Sequence, residues 1–222
     1  HETAIAKRAI EEYRPLKKYL EEGWPVSPRN LRDIIDAAND GDSRAQYEAG
    51  ALHLLGIGGA PKKPKLALEW ATKAASQGHA EALYYLGICN EEGRGLESNH
   101  GKARELYTKA TERGHAGASN NLGAVAEMTG ESHEVVMKHY QKAAAGGIVH
   151  GYYNLARLKE TDEHPEDKTQ ELIEHYLFAA KRGHTGAQNN LAVLLQEIAK
   201  DEEGLEEAAR WYRNAANQGH AD

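Results

Sequence analysis

The residues with the most obvious chemical potential in this chain are twelve histidines and one cysteine. His79, His115, His184 and His220 each follow a glycine, at wide intervals along the chain. A zinc ion holds its ligands at about 2 Å, and residues so far apart on regular helices do not converge on one ion. Helix caps or hydrogen bonds between neighbouring units are the expected roles. His139 and His175 share a helical column with Trp70, Leu106 and Trp211, so they read as packing variants. Cys89 has Glu91 and Glu92 beside it, whereas a reactive thiolate needs a positive surrounding and a base. A packed thiol is expected. The pairs Glu202-Glu203 and Glu206-Glu207 fit a solvated loop and first helical turn rather than an acid/base set. Gly56-Ile57-Gly58-Gly59 lacks a preceding strand and a Gly-Lys-Ser/Thr ending, so it reads as a turn and not as a phosphate cradle. No catalytic residue, cofactor or metal ligand is therefore assigned.

A set of amides and aromatics stands out instead. Tyr47, Tyr84, Asn120, Tyr153 and Asn189 occupy one recurring position, and Glu48, Tyr85, Asn121, Asn154 and Asn190 the next. Helix interiors disfavour Asn, so its recurrence calls for a reason. Side-chain amides offer donors and an acceptor that can bond an extended peptide backbone. The alternative is that each Asn bridges its helix to a neighbouring loop. Ile88, Met128 and Arg157 fall on the same stripe. The candidate partner-binding set is Tyr84, Tyr85, Asn120, Asn121, Tyr153, Asn154, Arg157, Asn189 and Asn190.

These positions recur because the chain repeats. Units open at Gly41, Gly78, Gly114, Gly147, Gly183 and Gly219, at steps of 37, 36, 33, 36 and 36 residues. A fixed period between about 20 and 50 residues marks a repeat array. Four residues after the opening glycine stand Ala45, Ala82, Ala118, Gly151 and Ala187. Eight after it stand Ala49, Leu86, Leu122, Leu155 and Leu191, followed by Gly50, Gly87, Gly123, Ala156 and Ala192. Four before the closing glycine comes Ala74, Ala110, Ala143, Ala179 or Ala215, and seven before it Ala71, Tyr107, Tyr140, Tyr176 or Tyr212. Spacings of three and four place these residues on one helical stripe. Each unit thus predicts two antiparallel helices, A then B. The small columns permit close backbone approach, and the tyrosine is expected to fill space between stacked pairs. The closing glycine suits a left-handed helix end. No pair buries its stripe alone, so pairs must stack.

The copy from Gly78 carries A-x-Y-Y-L-G, then E-E-G-R-G, then A-x-x-L-Y-x-K-A and G-H-A. On these motifs the chain resembles the Sel1-like repeat (SLR), a relative of the tetratricopeptide repeat, over residues 41–222. Two copies depart from the pattern. The third reads Met128-Thr129-Gly130-Glu131-Ser132 at its turn, and the fourth reads Thr161-Asp162-Glu163-His164-Pro165. The expected fold is all-α, a right-handed α-solenoid, or superhelix, of antiparallel helix pairs. The resemblance implies an assembly role, and in some members a proposed hydrolase activity.

The expected organisation is an N-terminal region, 1–40, and repeats at 41–77, 78–113, 114–146, 147–182 and 183–218, with a sixth beginning at Gly219. In the first region, residues 1–22 read as a helix divided near Pro15. Ser27-Pro28 reads as a helix start, and Asn30 to Asn39 as the B helix of a degenerate leading pair. The 222 residues carry net charge −7 and mean hydropathy −0.73. No basic cluster points to nucleic acid, and no apolar run approaches the roughly 18 residues of a membrane span. The chain starts at His1 without a recognisable leader, which suggests a fragment or processed form. One cysteine excludes an internal disulfide framework. An intracellular location is favoured, with periplasm or lumen open. The expected function is a non-enzymatic scaffold that binds a protein or peptide in a groove lined by A helices. Self-association through the C-terminal repeat and hydrolysis are the alternatives.

Overall fold

The computed structural model describes residues 30–161 and 169–218. The expected helix over 1–22, the Ser27-Pro28 start, the acidic stretch Asp162–Pro165 and the sixth opening at Gly219 lie outside the described residues. Among the described residues there are eleven helices and no strand. They are α1 (Leu31–Asn39), α2 (Ser43–Leu55), α3 (Pro64–Ser76), α4 (Ala80–Glu92), α5 (His100–Glu112) and α6 (Ala116–Met128). α7 (His133–Ala145), α8 (Val149–Lys159), α9 (Thr169–Ala180), α10 (Thr185–Ile198) and α11 (Glu202–Ala216) complete the set. The fold is all-α, and α2, α4, α6, α8 and α10 are the A helices of successive pairs.

The chain divides into two compact units, His1–His115 and Ala116–Asp222. In the first, α1 packs on α2, α2 on α3, α3 on α4 and α4 on α5. In the second, each helix from α6 to α11 likewise packs on the next along the chain. The leading helix α1 starts at Leu31, with the Asn30 side chain accepting from the Asp33 N–H at 3.0 Å. It buries Ile34 and Ala38 in one cluster with Ala45, Ala49 and Leu52 of α2.

The glycines that open the repeats turn the chain. Gly41, Gly78, Gly114, Gly147 and Gly183 all have φ between 76° and 97°, a conformation costly for any side chain with a Cβ. Asp42 and His184 then cap their A helices through the N–H groups of Ala45 (2.7 Å) and Ala187 (3.1 Å). His79 makes no such cap. The turn reading of Gly56-Ile57-Gly58-Gly59 agrees with left-handed φ at all three of its glycines, and Gly56 closes α2 by donating to the Leu52 carbonyl.

The alanine column before each closing glycine is buried throughout, from Ala74 to Ala215. The tyrosine column does more than the expectation. Tyr107, Tyr140 and Tyr176 are fully buried; Tyr140 and Tyr176 cluster with residues of the next pair, and the rings of Tyr107 and Tyr140 also fill space inside their own pair. A Cβ added at Gly87 would lie 2.4 Å from Tyr107 Cε1, and one at Gly123 would lie 2.5 Å from Tyr140 Cε1. The small residue of α4 and α6 therefore makes room for a ring from α5 and α7, not for a backbone. True backbone approach occurs at Gly151, where a Cβ would meet the Ala143 carbonyl carbon at 2.9 Å, between α7 and α8. Burying an apolar side chain of this size contributes about 1.5–3 kcal/mol, so the ring is a large share of cohesion in the three pairs that bury one.

Candidate functional site

The A helices carry the predicted interaction set, and the structure separates its members. Tyr85 is buried, so its ring belongs to the core of the first unit. Tyr84 and Tyr153 are half-buried and engaged on their faces. His115 stacks on Tyr84 at 4.2 Å between ring centres, and His184 stacks on Tyr153 at 4.3 Å. Asn120, Asn121, Asn154 and Asn190 are also half-buried, and Asn189 is exposed. Asn154 Nδ2 donates to Asn120 Oδ1 at 3.0 Å, joining α8 to α6. Asn190 Nδ2 donates to the Tyr176 hydroxyl at 3.2 Å, joining α10 to α9. The bridging role thus exists for Asn154 and Asn190, but the partners are neighbouring helices rather than loops.

A column that sequence reading passed over organises this face. Thirteen residues after each opening glycine stand Leu54, Glu91, Glu127, Glu160 and Gln196. The tyrosine hydroxyl of the same repeat donates to three of the four polar members. Tyr107 donates to Glu91 at 2.6 Å, Tyr140 to Glu127 at 2.9 Å, and Tyr212 to Gln196 at 3.1 Å. Tyr176 instead accepts from Asn190 and lies within electrostatic reach of Glu160. In the first repeat the hydroxyl is absent, because the tyrosine is Ala71, and Leu54 replaces the acceptor. This matched loss of donor and acceptor was readable in the sequence by comparing the chain's own copies.

Arg157 belongs to that network. Its guanidinium donates to both Glu127 oxygens, at 2.7 and 2.6 Å, from α8 to the preceding A helix α6. This contact holds the Glu127 carboxyl below the usual range, against the opposing effect of burial and with help from Tyr140. Burial, and next the adjacent Glu127, push the Tyr140 phenol up. Arg157 is therefore tied to its own chain, through one guanidinium nitrogen that meets both carboxylate oxygens.

The histidines after the opening glycines form a second device. His79 stacks on Tyr47 at 4.8 Å, repeating the Tyr84–His115 and Tyr153–His184 arrangement. In the third copy the two positions are Asn120 and Ile148, so ring and histidine are lost together. Burial pulls all three histidines below their usual range. For His79 the largest opposing influence is Glu81, and His184 falls to about 4, with His150 adding to burial. Cys89 is buried. Among the described residues, no group of three or more His, Cys, Asp or Glu side chains could hold a metal ion. No helix of the described residues is long and apolar enough to cross a membrane.

Comparison with known proteins decides the family. The Sel1 repeat model matches residues 43–79, 80–115, 137–148 and 185–220, together more than half of the chain. The chain belongs to the Sel1 repeat family. The gaps in the match cover most of the third and fourth copies, whose turns depart from the pattern. Among solved structures, this Sel1 repeat chain resembles a Sel1 repeat protein from Oxalobacter formigenes. They share 27% identity and a TM-score of 0.71, over 96% of this chain and 82% of that one. It also resembles c5321, a protective antigen of uropathogenic Escherichia coli strains displaying an SLR fold. There the identity is 25% and the TM-score 0.74, over 86% of this chain and 41% of that one. Among curated proteins, DAP3-binding cell death enhancer 1 of Rattus norvegicus is 32% identical over 115 residues, 49% of this chain and 21% of that protein. Chitin synthase regulatory factor 3 of Schizosaccharomyces pombe is 31% identical over 107 residues, 48% of this chain and 12% of that protein. The match thus spans about a fifth or less of these relatives' lengths. By their names, these curated relatives are binding or regulatory factors rather than enzymes.

Proposed function

We propose that this chain is a non-enzymatic scaffold that binds a protein or peptide on the face presented by its A helices. The observation that carries this reading is the side chemistry of that face. Amides at Asn120, Asn121, Asn154, Asn189 and Asn190 sit among half-buried tyrosines, a mixture suited to an extended backbone. The binding and regulatory names of the curated relatives agree with it. Asn121 and Asn189 are the amides to test first, because Asn154 and Asn190 also hold helices together.

The experiment is an affinity pull-down with mass spectrometry, comparing the wild-type chain with Asn121→Ala/Asn189→Ala at matched thermal stability. A partner lost or strongly depleted from the variant is the expected outcome. A partner retained in full would move the site to loops or to the B-helix side. Self-association through the last repeat is a second reading, motivated by exposed Ile198 and Leu205. A sedimentation run that shows only monomer at high concentration would dispose of it.

A further inference from the structure

The second unit contains an open cleft of about 580 Å³ beside the end of α8, between α9 and α10. That volume lies within the range of roughly 300–1,000 Å³ of ordinary ligand pockets. Leu172, Val193, Leu194 and Ile198 give it an apolar wall, and Glu160, Glu197 and Asn190 give it a polar one.

The repeat one step earlier shows what this position accepts. There Glu127 takes a hydrogen bond from its buried tyrosine, and both its oxygens accept from one guanidinium nitrogen of Arg157, ten residues after the next opening glycine. One repeat later Glu160 stands in the same register, within electrostatic reach of Tyr176, which accepts from Asn190. The residue equivalent to Arg157 is now Val193. Arg157 is within electrostatic reach of Glu160, but both of its contacts to oxygen go to Glu127. Glu197 adds a second negative group at the cleft. The Glu160 carboxyl is accordingly pushed up, chiefly by burial and then by Glu197, with Tyr176 and Arg157 acting the other way. The site has the acceptor half of the Glu127 arrangement and an apolar residue where its cation stood.

We infer that this cleft receives a basic side chain of a bound peptide, an arginine or lysine whose charged head meets Glu160 and Glu197 and whose aliphatic stem lies on Val193 and Leu194. Arginine is the preferred occupant, because the guanidinium of Arg157 is what the equivalent carboxylate Glu127 holds one repeat earlier. This inference rests on the peptide-scaffold reading and specifies the partner's chemistry at one subsite.

The test pans a displayed library of random short linear peptides on the full chain. Binding of a selected peptide, and of its arginine-to-citrulline version, is then measured by fluorescence anisotropy. Two variants are compared with the wild type. Glu160→Gln keeps the size and polarity of the side chain and removes the charge. Val193→Arg supplies the cleft with its own guanidinium, in the register of Arg157. The expected result is a fixed arginine or lysine among selected peptides. Affinity should fall by about tenfold with citrulline and with each variant. Selected peptides that bind equally well as citrulline versions, and to both variants, would overturn the inference and leave the scaffold reading standing. Failure to select any peptide, together with an empty pull-down, would overturn both. Dimerisation of the wild-type chain that Val193→Arg abolishes would put a second copy in the cleft, and would also overturn the assignment.

Discussion

At the scale of single residues, the tightest constraint is the pairing of a glycine with a tyrosine. Gly123 leaves room for Tyr140, whose ring edge lies 2.5 Å from where a Cβ would be. Gly123→Ala should lower stability by about 1–3 kcal/mol through overpacking, even though Ala is the better helix former by about 1 kcal/mol. Chemical denaturation measures it, and a variant as stable as the wild type would show that the ring yields freely. Tyr140→Phe isolates the hydroxyl, because the ring stays. Its loss removes one charge-assisted bond to Glu127, which keeps Arg157, and should cost about 1.5–3 kcal/mol. A double-mutant cycle with Glu127→Ala, which removes the acceptor, should show coupling between the two, and additive costs would refute the bond. The tyrosine column was evident in the sequence as a periodic aromatic. Its hydroxyl partner was not, because Glu91 and Glu127 look like ordinary solvated carboxylates until each is set beside the tyrosine of the same copy.

At the scale of elements, the helix starts hold the chain's pH sensitivity. His184 caps α10 with Nδ1 as acceptor for the Ala187 N–H, which requires the unprotonated ring nitrogen. Its folded pKa is about 4, below the unfolded value near 6.5. The unfolded chain therefore binds the proton more readily between those values. The stabilisation from neutral His184 is complete above about pH 6.5 and is lost as pH falls toward 4. His79 and His115 shift in the same direction and add to the same slope. The melting temperature should drop between pH 7 and pH 5. His184→Asn, which can cap without titrating, should flatten that drop, and an unchanged slope would remove His184 from the account. Helix existence and order were legible from the glycine spacing, and so was the left-handed helix end. The cap-or-bridge expectation for the histidines was right only in part. His184 caps, whereas His79 stacks on Tyr47 without capping, and a ring stack across a repeat leaves no local sequence mark. The fourth copy's match to the repeat pattern breaks at its acidic turn, so the cleft beside Glu160 could not be anticipated either.

At the scale of the whole molecule, stability follows from contacts that are local along the chain. Within each unit a helix packs chiefly on its immediate neighbours in sequence. Free energy is then close to a sum of repeat terms and nearest-neighbour terms, and damage should spread only as far as those terms carry it. Tyr140→Ala deletes a fully buried ring and should cost about 3–5 kcal/mol. Hydrogen exchange should respond unevenly. Protection should fall most in α6, α7 and α8, whose residues meet around Tyr140 and Leu155, and less in α10 and α11. Protection in α2 and α3 should change least of all, because they lie in the other compact unit. Equal loss of protection in every helix would mean one cooperative body, and would replace the additive picture with a two-state one. The uneven outcome bears on binding as well. A scaffold whose repeats open independently can order one subsite, such as the Glu160 cleft, without committing the rest. Peptide binding there should then restore protection first in α8, α9 and α10, the helices that line it.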